Sequence, residues 1–375
     1  MNDASRYQDL VPAAASPLVD WHLIANAFAW FRALADCAQD PVHHGEGNVL
    51  VHTRMVVKAL LASAEWPRLA PADRRVVFWA ALLHDVAKPE TTRVDIDGRI
   101  TARGHSRRGQ IAARRILWQL GAPFWERERI CHLITHHQVP FFLIDRDAPE
   151  RLAHLISLQT RCDLLAVLAE ADARGRIAPD IAGLIHNIAL FRELCEEQAC
   201  LDRPRAFASD HSRFLYFRKD GVSPDYEAYD DWENRVTVIS GLPASGKDTW
   251  VAAQAGDREV ISLDALRATM GVAPADAQGA IVAAARERAR VALRVRRPFV
   301  WNATNLSRQV RSSIIDLCID YHAKVEIVYV EAGPDEIARR NAVRKEPVPA
   351  KATQRMLERW EVPDLSECHT LQVVI

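Results

Sequence analysis

Apolar residues recur at every third or fourth position through most of the first half of the chain, which is the spacing of helices that bury one face. This spacing predicts helices over residues 21–38, 51–64, 72–86, 107–120, 125–136, 149–174 and 180–200. No convincing strand lies between them. Residues 1–200 are therefore predicted to form an all-α bundle.

A different pattern begins near residue 233, where short apolar runs alternate with helical ones. The strands predicted are 236–240, 259–263, 298–301, 325–330 and 371–375, and the helices are 277–295, 308–321, 334–344 and 350–360. Such alternation is typical of a parallel sheet covered by helices on both faces. Residues 233–375 are therefore predicted to be an α/β domain with its ligands at the carboxyl ends of the strands.

Residues 201–232 lose the helical periodicity and contain Pro204, Gly221 and Pro224, so we interpret them as a linker. This stretch also carries an aromatic and basic patch: His211, Arg213, Phe214, Tyr216, Phe217 and Arg218. Such side chains either pack the two domains together, which we favour, or stack on a base and contact phosphate.

A phosphate-binding loop is predicted directly after strand 236–240. Residues 241–249 read Gly-Leu-Pro-Ala-Ser-Gly-Lys-Asp-Thr and are followed by a helical run, which is the context that such a loop requires. Gly241 and Gly246 allow the backbone N–H groups to turn toward phosphate oxygens, and Lys247 supplies a positive charge. The loop predicts a site for ATP or another nucleoside triphosphate.

The residue after Lys247 departs from the usual pattern. A Ser or Thr normally binds Mg²⁺ there, whereas this chain has Asp248, with Thr249 one position later. A carboxylate is also a hard oxygen ligand, so either residue can hold the Mg²⁺.

Polar residues follow two other predicted strands of this domain. Asp264 comes after the second strand, where a carboxylate can accept a hydroxyl proton, and Arg267 follows one helical turn later. The third strand ends in Trp301-Asn302-Ala303-Thr304-Asn305. These residues are predicted to lie beside the transferring phosphoryl group.

Arg340 and Arg344 are four residues apart on the predicted helix 334–344, ahead of the sequence Glu-Pro-Val-Pro at 346–349. A lid at this point would bring guanidinium groups onto the transferring phosphoryl group and stabilise its charge.

This half of the chain resembles the kinase domain of phage-type polynucleotide 5′-kinases. The matching residues are Ser245, Gly246 and Lys247 of the loop, Asp264, Arg267, Thr304, Asn305, Arg340 and Arg344. The resemblance implies that Asp264 is the general base, that Arg267 contacts the phosphate of the acceptor, and that Arg344 contacts the nucleotide with support from Arg340. Asp248 and Ala303 depart from that family's pattern.

Histidines and aspartates occur in an informative order in the first half. They are His52, His84, Asp85, His105, His136, His137 and Asp172. Imidazole nitrogens and carboxylate oxygens bind divalent first-row metals, and the helices of a bundle can bring them to one point. Asp172 shares a predicted helix face with Leu155, Leu158, Cys162, Leu165 and Ala169, so we prefer it to Asp163 as a ligand.

The same residues resemble the HD phosphohydrolase superfamily, and in particular the HD domain attached to some tRNA nucleotidyltransferases. The resemblance implies that His52, His84, Asp85 and Asp172 hold a first divalent transition metal, and that His105 with His136 or His137 extends the site toward a second. A bound metal lowers the pKa of water and permits hydrolysis of a phosphoester. Candidates for binding the phosphate are Lys88, Arg93 and Arg107.

Composition narrows the setting of this chemistry. A net charge of −1 over 375 residues argues against a protein that coats a polyanion, although a local basic groove is possible. Seven scattered cysteines without a C-x-x-C motif indicate reduced thiols, and no apolar run resembles a signal peptide or a membrane span. We expect a cytoplasmic protein with no membrane partner.

Together the two halves resemble bacterial two-domain proteins that heal RNA or DNA ends. The expected partners are RNA or DNA ends and a separate ligase, because no ligase motif is visible, and the assembly is compatible with a homodimer. Two alternatives stay open, namely a kinase and phosphohydrolase of small molecules, and a regulator whose HD half only senses a nucleotide.

Overall fold

The computed structural model describes residues 3–15, 17–273 and 276–375. Contacts divide the chain into two units, Met1–Ala206 and Phe207–Ile375. The predicted linker, residues 201–232, is therefore shared between them, and all of it after Ala206 folds with the second unit.

The first unit is helical, as predicted. Its helices are α1 (Asp3–Asp9), α2 (Trp21–Ala27), α3 (Ala29–Ala33), α4 (Val49–Leu61), α5 (Pro71–Leu83), α6 (Lys88–Thr91), α7 (His105–Gln119), α8 (Phe124–His136), α9 (Val139–Phe142), α10 (Pro149–Gln159), α11 (Cys162–Arg174) and α12 (Ile181–Glu197). Short 3₁₀ turns occur at Leu34–Asp36 and Trp66–Arg68.

Helices α4, α5, α8 and α11 pack against one another at the centre of this unit. All eight residues from Val76 to Leu83 are buried, because α5 is apolar on every side and is enclosed by its neighbours. The carboxyl ends of α5 and α8 are therefore held rigidly inside the protein, and both ends carry histidines.

Two predicted helices are interrupted. Residues 21–38 form α2, α3 and a 3₁₀ turn, because Phe28 adopts an extended conformation with φ −127°. The segment 149–174 bends by 103° between α10 and α11, where Thr160 is extended and Arg161 pairs with Asp73. Leu155 and Leu158 consequently do not share a helix with Asp172, which corrects part of the argument for that ligand.

The prediction that this half has no strands is also wrong in one place. A hairpin of two-residue strands, β1 (Arg93–Val94) and β2 (Ile100–Thr101), projects between α6 and α7. It is mostly exposed and too short to produce a recognisable alternation of apolar and polar residues.

The second unit has the predicted α/β architecture. Its strands are β3 (Asn234–Ser240), β4 (Glu259–Ser262), β5 (Phe299–Asn302), β6 (Ala323–Val330) and β7 (Thr370–Val374). Its helices are α13 (Asp210–Arg218), α14 (Lys247–Gln254), α15 (Leu263–Met270), α16 (Gly279–Arg294), α17 (Arg308–Asp320), α18 (Pro334–Ala342) and α19 (Ala350–Leu357).

The five strands form one sheet in the order β4-β5-β3-β6-β7, with every neighbouring pair parallel. In this register Ile239 of β3 lies beside Asn302 of β5, and Asn302 lies beside Ser262 of β4. The loops that follow β3, β4 and β5 therefore leave the sheet at one edge, where the phosphate-binding loop is central.

Four residues of the aromatic and basic patch, His211, Arg213, Phe214 and Tyr216, are buried in the second unit, whereas Phe217 and Arg218 are half-buried. Ser209 caps α13 by accepting a hydrogen bond from the N–H of Ser212, and Phe214 is fully buried in the core with Trp232. The ring of His211 stacks on that of His369. Residues 210–218 are thus a packed helix, which the absence of clear periodicity in the sequence concealed.

All seven cysteines are free and buried. Among the described residues, no single helix is long and apolar enough to cross a membrane, and only the bent pair of α10 and α11 has the length and composition when taken together.

Candidate functional sites

Six buried histidine and aspartate side chains converge inside the helical unit, and we call them the HD cluster. They come from α4 (His52), the end of α5 (His84 and Asp85), the first residue of α7 (His105), the residue after α8 (His137) and the last turns of α11 (Asp172). Because these elements are separated along the chain by 20 to 35 residues or more, only the packing of the bundle brings the side chains together.

The first group comprises His52, His84, Asp85 and Asp172. The Nε2 atom of His84 lies 3.2 Å from Nε2 of His52 and 3.2 Å from Oδ2 of Asp85. The Nε2 atom of His52 lies 3.2 Å from Oδ1 of Asp172. Their ligand atoms therefore surround one small volume.

The second group shares Asp85 with the first. Oδ1 of Asp85 lies 3.5 Å from Nε2 of His105, which in turn lies 3.4 Å from Nε2 of His137. A carboxylate that faces two neighbouring groups with its two oxygens is suited to bridge a pair of metal ions.

The opposite nitrogen of each of these histidines is fixed by the protein. Nδ1 lies 2.8 Å from the carbonyl of Ala81 for His84, 2.8 Å from that of Ala102 for His105, and 2.7 Å from that of Ile134 for His137. A carbonyl only accepts, so Nδ1 carries the proton and Nε2 presents a lone pair, which is the usual arrangement of a metal-binding histidine.

These histidines and aspartates fit a divalent metal. Two Nε2 lone pairs that face each other at 3.2 Å repel one another unless a cation lies between them. In addition, Oδ1 of Asp85 and Oδ2 of Asp172 are buried without a hydrogen-bond partner, which is costly for a carboxylate unless a cation satisfies it.

The protonation states of His105, His137 and Asp85 agree with this interpretation, whereas for His52 the effect of burial is outweighed by the hydrogen bonds to Asp172 and Glu46, which raise the pKa. Burial lowers the pKa of His137 to about 3 and also lowers the pKa of His105, so both rings are neutral. Burial opposes ionisation of Asp85, but its interactions with His84 and with the ammonium group of Lys88 hold the pKa of this carboxyl well below its usual range. Neutral imidazoles and an ionised carboxylate are the forms that bind metals.

The sequence left His136 and His137 as alternatives, and the structure separates them. His137 belongs to the cluster, whereas Nε2 of His136 lies 2.8 Å from Oε1 of Gln159, away from the other histidines. Asp163 is not among the converging side chains either, since it pairs with Arg161 at the start of α11.

A cavity of about 500 Å³ opens beside the cluster. Its lining includes His105 and three cations, Lys88, Arg99 and Arg176, together with Phe141 and Phe142. Nζ of Lys88 lies 2.8 Å from Oδ2 of Asp85, so this predicted phosphate ligand is in contact with the cluster.

Two other predicted phosphate ligands do not line this cavity. Arg107 is exposed on the first turn of α7. Arg93 is exposed on the hairpin and donates to the carbonyls of Glu90 and Thr92. Of the three predicted phosphate ligands, Lys88 alone lines the cavity.

The phosphate-binding loop of the second unit has the backbone geometry that its glycines predict. Gly241 has φ +152°, and a Cβ atom at this position would lie 2.2 Å from the carbonyl oxygen of Val330, so no other residue fits. Gly246 has φ +109°, and α14 begins directly after it at Lys247. The backbone N–H groups of the loop therefore lie next to the amino end of α14, which is the usual arrangement for binding a phosphate.

Lys247 and Arg340 both contact the loop. Nζ of Lys247 donates to the carbonyl of Leu242 at 2.7 Å, and burial lowers the pKa of this amine to about 8. Nη1 of Arg340, on α18, donates to the carbonyl of Ser245 at 2.9 Å. Arg344 lies beyond the end of α18 at Ala342, so the predicted single helix face for the two arginines is not formed.

The residues predicted for Mg²⁺ are also at this end of the sheet. Oδ1 of Asp248 accepts a hydrogen bond of 2.9 Å from Nδ2 of Asn302, the last residue of β5. Thr249 is exposed on the first turn of α14. The geometry therefore joins Asp248, rather than Thr249, to the polar end of a neighbouring strand.

Asp264 and Arg267 form an ion pair on the first turns of α15, directly after β4. Asp264 is 73% exposed, whereas Arg267 is further held by a bond of 2.8 Å from its Nε to Oε1 of Gln278. The Asp264 carboxylate is therefore accessible to a molecule that receives the phosphoryl group, and the Arg267 guanidinium lies beside this carboxylate.

Thr304 and Asn305 support the loop through hydrogen bonds. The carbonyl of Thr304 accepts a bond of 2.9 Å from the N–H of Gly241. Nδ2 of Asn305 donates to the carbonyl of Ile239 at 2.6 Å, and the side chain is only 2% exposed. Asn305 was predicted to bind substrate, but its burial and its bonds to the main chain give it a structural role.

Comparison with family models identifies both domains. Residues 49–173 match the model described as HD domain, and residues 236–363 match the model described as AAA domain. The chain joins an HD domain to a kinase-like P-loop domain. The ligand cluster lies within the first match or at its edge, and the phosphate-binding loop lies within the second.

Two curated proteins are similar to the HD domain. The chain is 34% identical over 131 residues to the A-adding tRNA nucleotidyltransferase of Deinococcus radiodurans, covering 34% of this chain and 30% of that protein. It is 38% identical over 114 residues to the CC-adding tRNA nucleotidyltransferase of Thermus thermophilus, covering 30% of this chain and 24% of that protein. The chain thus spans less than a third of the length of these relatives.

Solved structures similar to the chain are more distant. One is a protein described as a kinase from Chloroflexus aurantiacus, with 16% identity and a TM-score of 0.34, which covers 38% of this chain and 86% of that chain. A second is a gluconokinase from Sinorhizobium meliloti, with 24% identity and a TM-score of 0.30, which covers 38% of this chain and 83% of that chain. A third is Kti12 from Chaetomium thermophilum in complex with ADP-AlF3, with 19% identity and a TM-score of 0.29, which covers 37% of this chain and 88% of that chain.

The HD domain contains supporting residues that the sequence did not indicate. Oε1 of Glu46 lies 2.9 Å from Nδ1 of His52, and Nη2 of Arg176 lies 2.5 Å from Oδ1 of Asp172. Gly175 permits this arrangement, because a Cβ atom there would lie 2.6 Å from the backbone of Val56 on α4. Glu46 and Arg176 lie in loops, where no periodicity reveals which way a side chain points.

The chemistry available to each domain follows from these contacts. In the HD domain, a divalent metal held by the cluster would acidify a bound water and neutralise phosphoryl oxygens. Lys88 and Arg176 add positive charge at the same place. In the P-loop domain, the loop N–H groups, Lys247 and Arg340 surround the position of a nucleoside triphosphate with Mg²⁺.

Proposed function

We propose that this chain is a bifunctional end-healing enzyme of RNA or DNA. Its P-loop domain transfers the γ-phosphoryl group of ATP, with Mg²⁺, to a polynucleotide 5′-hydroxyl. Its HD domain uses divalent transition metal to hydrolyse a 2′,3′-cyclic phosphate or a terminal 2′- or 3′-phosphate. A separate ligase would then seal the ends in the cytoplasm.

The observation that carries this proposal is the ion pair of Asp264 and Arg267 at the end of β4. The exposed carboxylate is suited to take the proton of an attacking hydroxyl. The guanidinium one turn further on is suited to bind a phosphate next to that hydroxyl. A polynucleotide end presents this combination, a 5′-hydroxyl with an internucleotide phosphate one sugar away.

The transfer step needs little more than positioning and charge neutralisation. The hydroxyl oxygen forms a bond to the γ-phosphorus, the bond to the β,γ-bridging oxygen breaks, and the hydroxyl proton passes to Asp264. Lys247 and Arg344 are the cations that we assign to the developing charge, because Lys247 directly follows Gly246 of the loop and Arg344 follows α18, from which Arg340 reaches the loop. Arg340 holds the loop through Ser245.

The second activity rests on the cavity beside the HD cluster. A volume of about 500 Å³ is within the range of sites for nucleotide-sized ligands. Lys88, Arg99 and Arg176 supply positive charge for a phosphate, and Phe142, which is 51% exposed, offers an aromatic surface for a base or sugar. A divalent metal held by His52, His84, Asp85 and Asp172 would supply an acidified water for hydrolysis, and Lys88 would neutralise phosphoryl oxygens beside it.

A small-molecule kinase and phosphohydrolase is the principal alternative. Burial of Phe214 and Tyr216 removes the aromatic patch from the features that favour a polymer. Arg267 is then the feature of the P-loop domain that distinguishes the two substrate classes. A purely sensing HD domain is a further alternative, which measurable turnover would exclude.

The test uses the full chain, ATP, Mg²⁺ and Mn²⁺ with an RNA oligonucleotide bearing a 5′-hydroxyl and a 2′,3′-cyclic phosphate. We expect wild type to convert both ends, Lys247→Ala to lose only phosphorylation, and Asp85→Asn to lose only hydrolysis. If wild type leaves both oligonucleotide ends unchanged while it phosphorylates a nucleoside, the polynucleotide substrate is excluded.

Arg267→Gln gives a sharper comparison. We expect it to raise KM for the oligonucleotide by roughly 10- to 100-fold, corresponding to the 1.5–3 kcal/mol of a charged hydrogen bond, while KM for ATP stays close to that of wild type. Arg288→Gln, a change at an exposed arginine of α16, is the matched control. An equal effect of both changes would argue against a specific phosphate contact.

A further inference from the structure

Three buried cysteines of the HD unit lie together, apart from the histidine cluster. Cys162 is the first residue of α11, Cys195 lies in the last turn of α12, and Cys200 follows that helix. Their sulfur atoms are all within 4.8 Å of one another. No sequence pattern indicates this group, because Cys162 is 33 residues from Cys195 and no C-x-x-C motif is present.

The end of α12 is shaped so that two of these thiols meet. The N–H of Cys200 donates to the carbonyl of Cys195 at 2.8 Å, and the N–H of Ala199 donates to that of Glu196 at 2.9 Å. This is a Schellman motif, in which the residues at the positions of Cys195 and Cys200 characteristically touch. Ala199 adopts φ +51°, a left-handed conformation that favours glycine, so the turn is formed against the preference of its own sequence.

The third thiol is brought in by a separate contact. The N–H of Asp163 donates to the carbonyl of Leu201 at 2.9 Å, which fixes the chain after Cys200 against the start of α11. Cys162 is the first residue of this 13-residue helix and is fully buried.

We propose that Cys162, Cys195 and Cys200 form a structural site for a soft divalent cation of the zinc class. Three sulfurs around a tetrahedral Zn²⁺ lie about 3.8 Å apart, as follows from a Zn–S distance of about 2.3 Å, so the cluster needs to contract by only about 1 Å. Binding would release the thiol protons.

His154 is the candidate for a fourth ligand. It is buried on α10, and its Nε2 lies 3.0 Å from Oε1 of Gln198, inside the turn between Cys195 and Cys200. A metal at this point would join α10, α11 and α12. Because Asp172 lies on α11, the ion would stabilise the helix that supplies a ligand to the catalytic cluster, without taking part in hydrolysis.

Cobalt distinguishes this site from the HD cluster, because only thiolate ligands give an intense near-ultraviolet charge-transfer band with Co²⁺, and the HD cluster contains only nitrogen and oxygen donors. We expect the full chain loaded with Co²⁺ to show this band at about one equivalent. Cys200→Ser should lose most of it, whereas Cys131→Ser, a buried cysteine of α8 outside the cluster, should retain it.

A measurement on wild type alone keeps the proposal testable if Cys200→Ser does not fold. X-ray absorption of the zinc-loaded chain should show sulfur scatterers at about 2.3 Å. The proposal would be overturned if both the cobalt band and the sulfur shell were absent. It would also be overturned if freshly purified protein contained a Cys195–Cys200 disulfide and bound no soft metal. His154→Gln with an unchanged cobalt spectrum would remove His154 from the ligand set.

Discussion

Asn302 donates a hydrogen bond of 2.9 Å from its Nδ2 atom to Oδ1 of Asp248. The bond links the end of β5 to the residue that replaces the usual Ser or Thr of the phosphate-binding loop. It orients one carboxylate oxygen and leaves the other available, so Asp248 is better placed than Thr249 to serve as a Mg²⁺ ligand.

This relationship predicts how Mg²⁺ dependence will change. Asn302→Ala should raise the Mg²⁺ concentration required for half-maximal kinase activity by roughly 10- to 100-fold, the usual effect of removing a residue that orients a metal ligand. Asp248→Asn should have an effect at least as large, and Thr249→Val should stay close to wild type. Titration of kinase activity with Mg²⁺ measures this. A strong effect of Thr249→Val with a weak effect of Asp248→Asn would reverse the assignment.

Nucleotide binding should weaken at alkaline pH because of Lys247. Burial lowers the pKa of this amine to about 8, and the protonated form is the one that attracts phosphate. Bound phosphate favours the charged form, so the Kd for ATP should rise by about tenfold per pH unit once the pH exceeds 8, and should be nearly constant below that pH.

Calorimetric titration of ATP between pH 7 and 9.5 measures this dependence. Lys247→Arg is the matched control, because arginine keeps its charge throughout this range, and its profile should be flat. A flat profile for wild type would show that another cation carries the interaction.

The adjacent residues His136 and His137 provide a paired test of the HD cluster. His137→Gln should lower binding of a second Mn²⁺ and reduce phosphoester hydrolysis by more than about 100-fold, since loss of a ligand exceeds the effect of losing its support. His136→Gln should keep both properties, because Nε2 of His136 faces Gln159. Metal content and turnover of a 2′,3′-cyclic nucleotide give the comparison, and similar losses in both variants would contradict it.

Glu46 should matter for metal binding although it is not a ligand in the predicted set. Its Oε1 atom lies 2.9 Å from Nδ1 of His52 and orients that ring toward Asp172. Glu46→Ala is expected to weaken Mn²⁺ binding by roughly 10- to 100-fold. Glu90→Ala, an exposed site on α6, is the control. The backbone carbonyl of Gly175 lies 3.2 Å from the same Nδ1 atom, so unchanged affinity in Glu46→Ala would show that this carbonyl is sufficient to orient the ring.

Asn305 should affect stability rather than acceptor binding. Asn305→Ala removes the hydrogen bond that this buried side chain donates to the carbonyl of Ile239, at a cost of about 0.5–1.5 kcal/mol in the free energy of unfolding. Asn305 also has φ +45°, so Asn305→Gly should recover part of the loss. Denaturation followed by tryptophan fluorescence tests both. A large rise in KM for the oligonucleotide without a change in stability would restore the predicted contact with substrate.

The sequence by itself determined the two architectures and the chemistry of each site. A 3.6-residue periodicity is imposed by burial of one helix face, and short β-branched runs between helices specify a parallel sheet. Gly241, Gly246 and Lys247 are constrained by local backbone geometry and charge, so their pattern is legible without tertiary contacts.

The sequence pattern did not predict where helices bend or that residues 210–218 form a helix. The bend between α10 and α11 depends on Arg161 pairing with Asp73, which lies 88 residues away. Helix α13 depends on Phe214 entering the core beside Trp232. Local propensity is weak compared with such contacts, so tertiary structure decided whether these segments are straight, bent or helical.

Only the tertiary structure selected among chemically equivalent residues. His136 and His137 have identical side chains, and Arg107 and Arg176 carry the same charge, but adjacent positions of a helix point about 100° apart and loop residues point where their contacts hold them. Packing therefore turned His137 and Arg176 toward the cluster, assembled Cys162, Cys195 and Cys200, and paired Asp248 with Asn302. Residue type fixed what chemistry was possible, and three-dimensional proximity fixed which residues perform it.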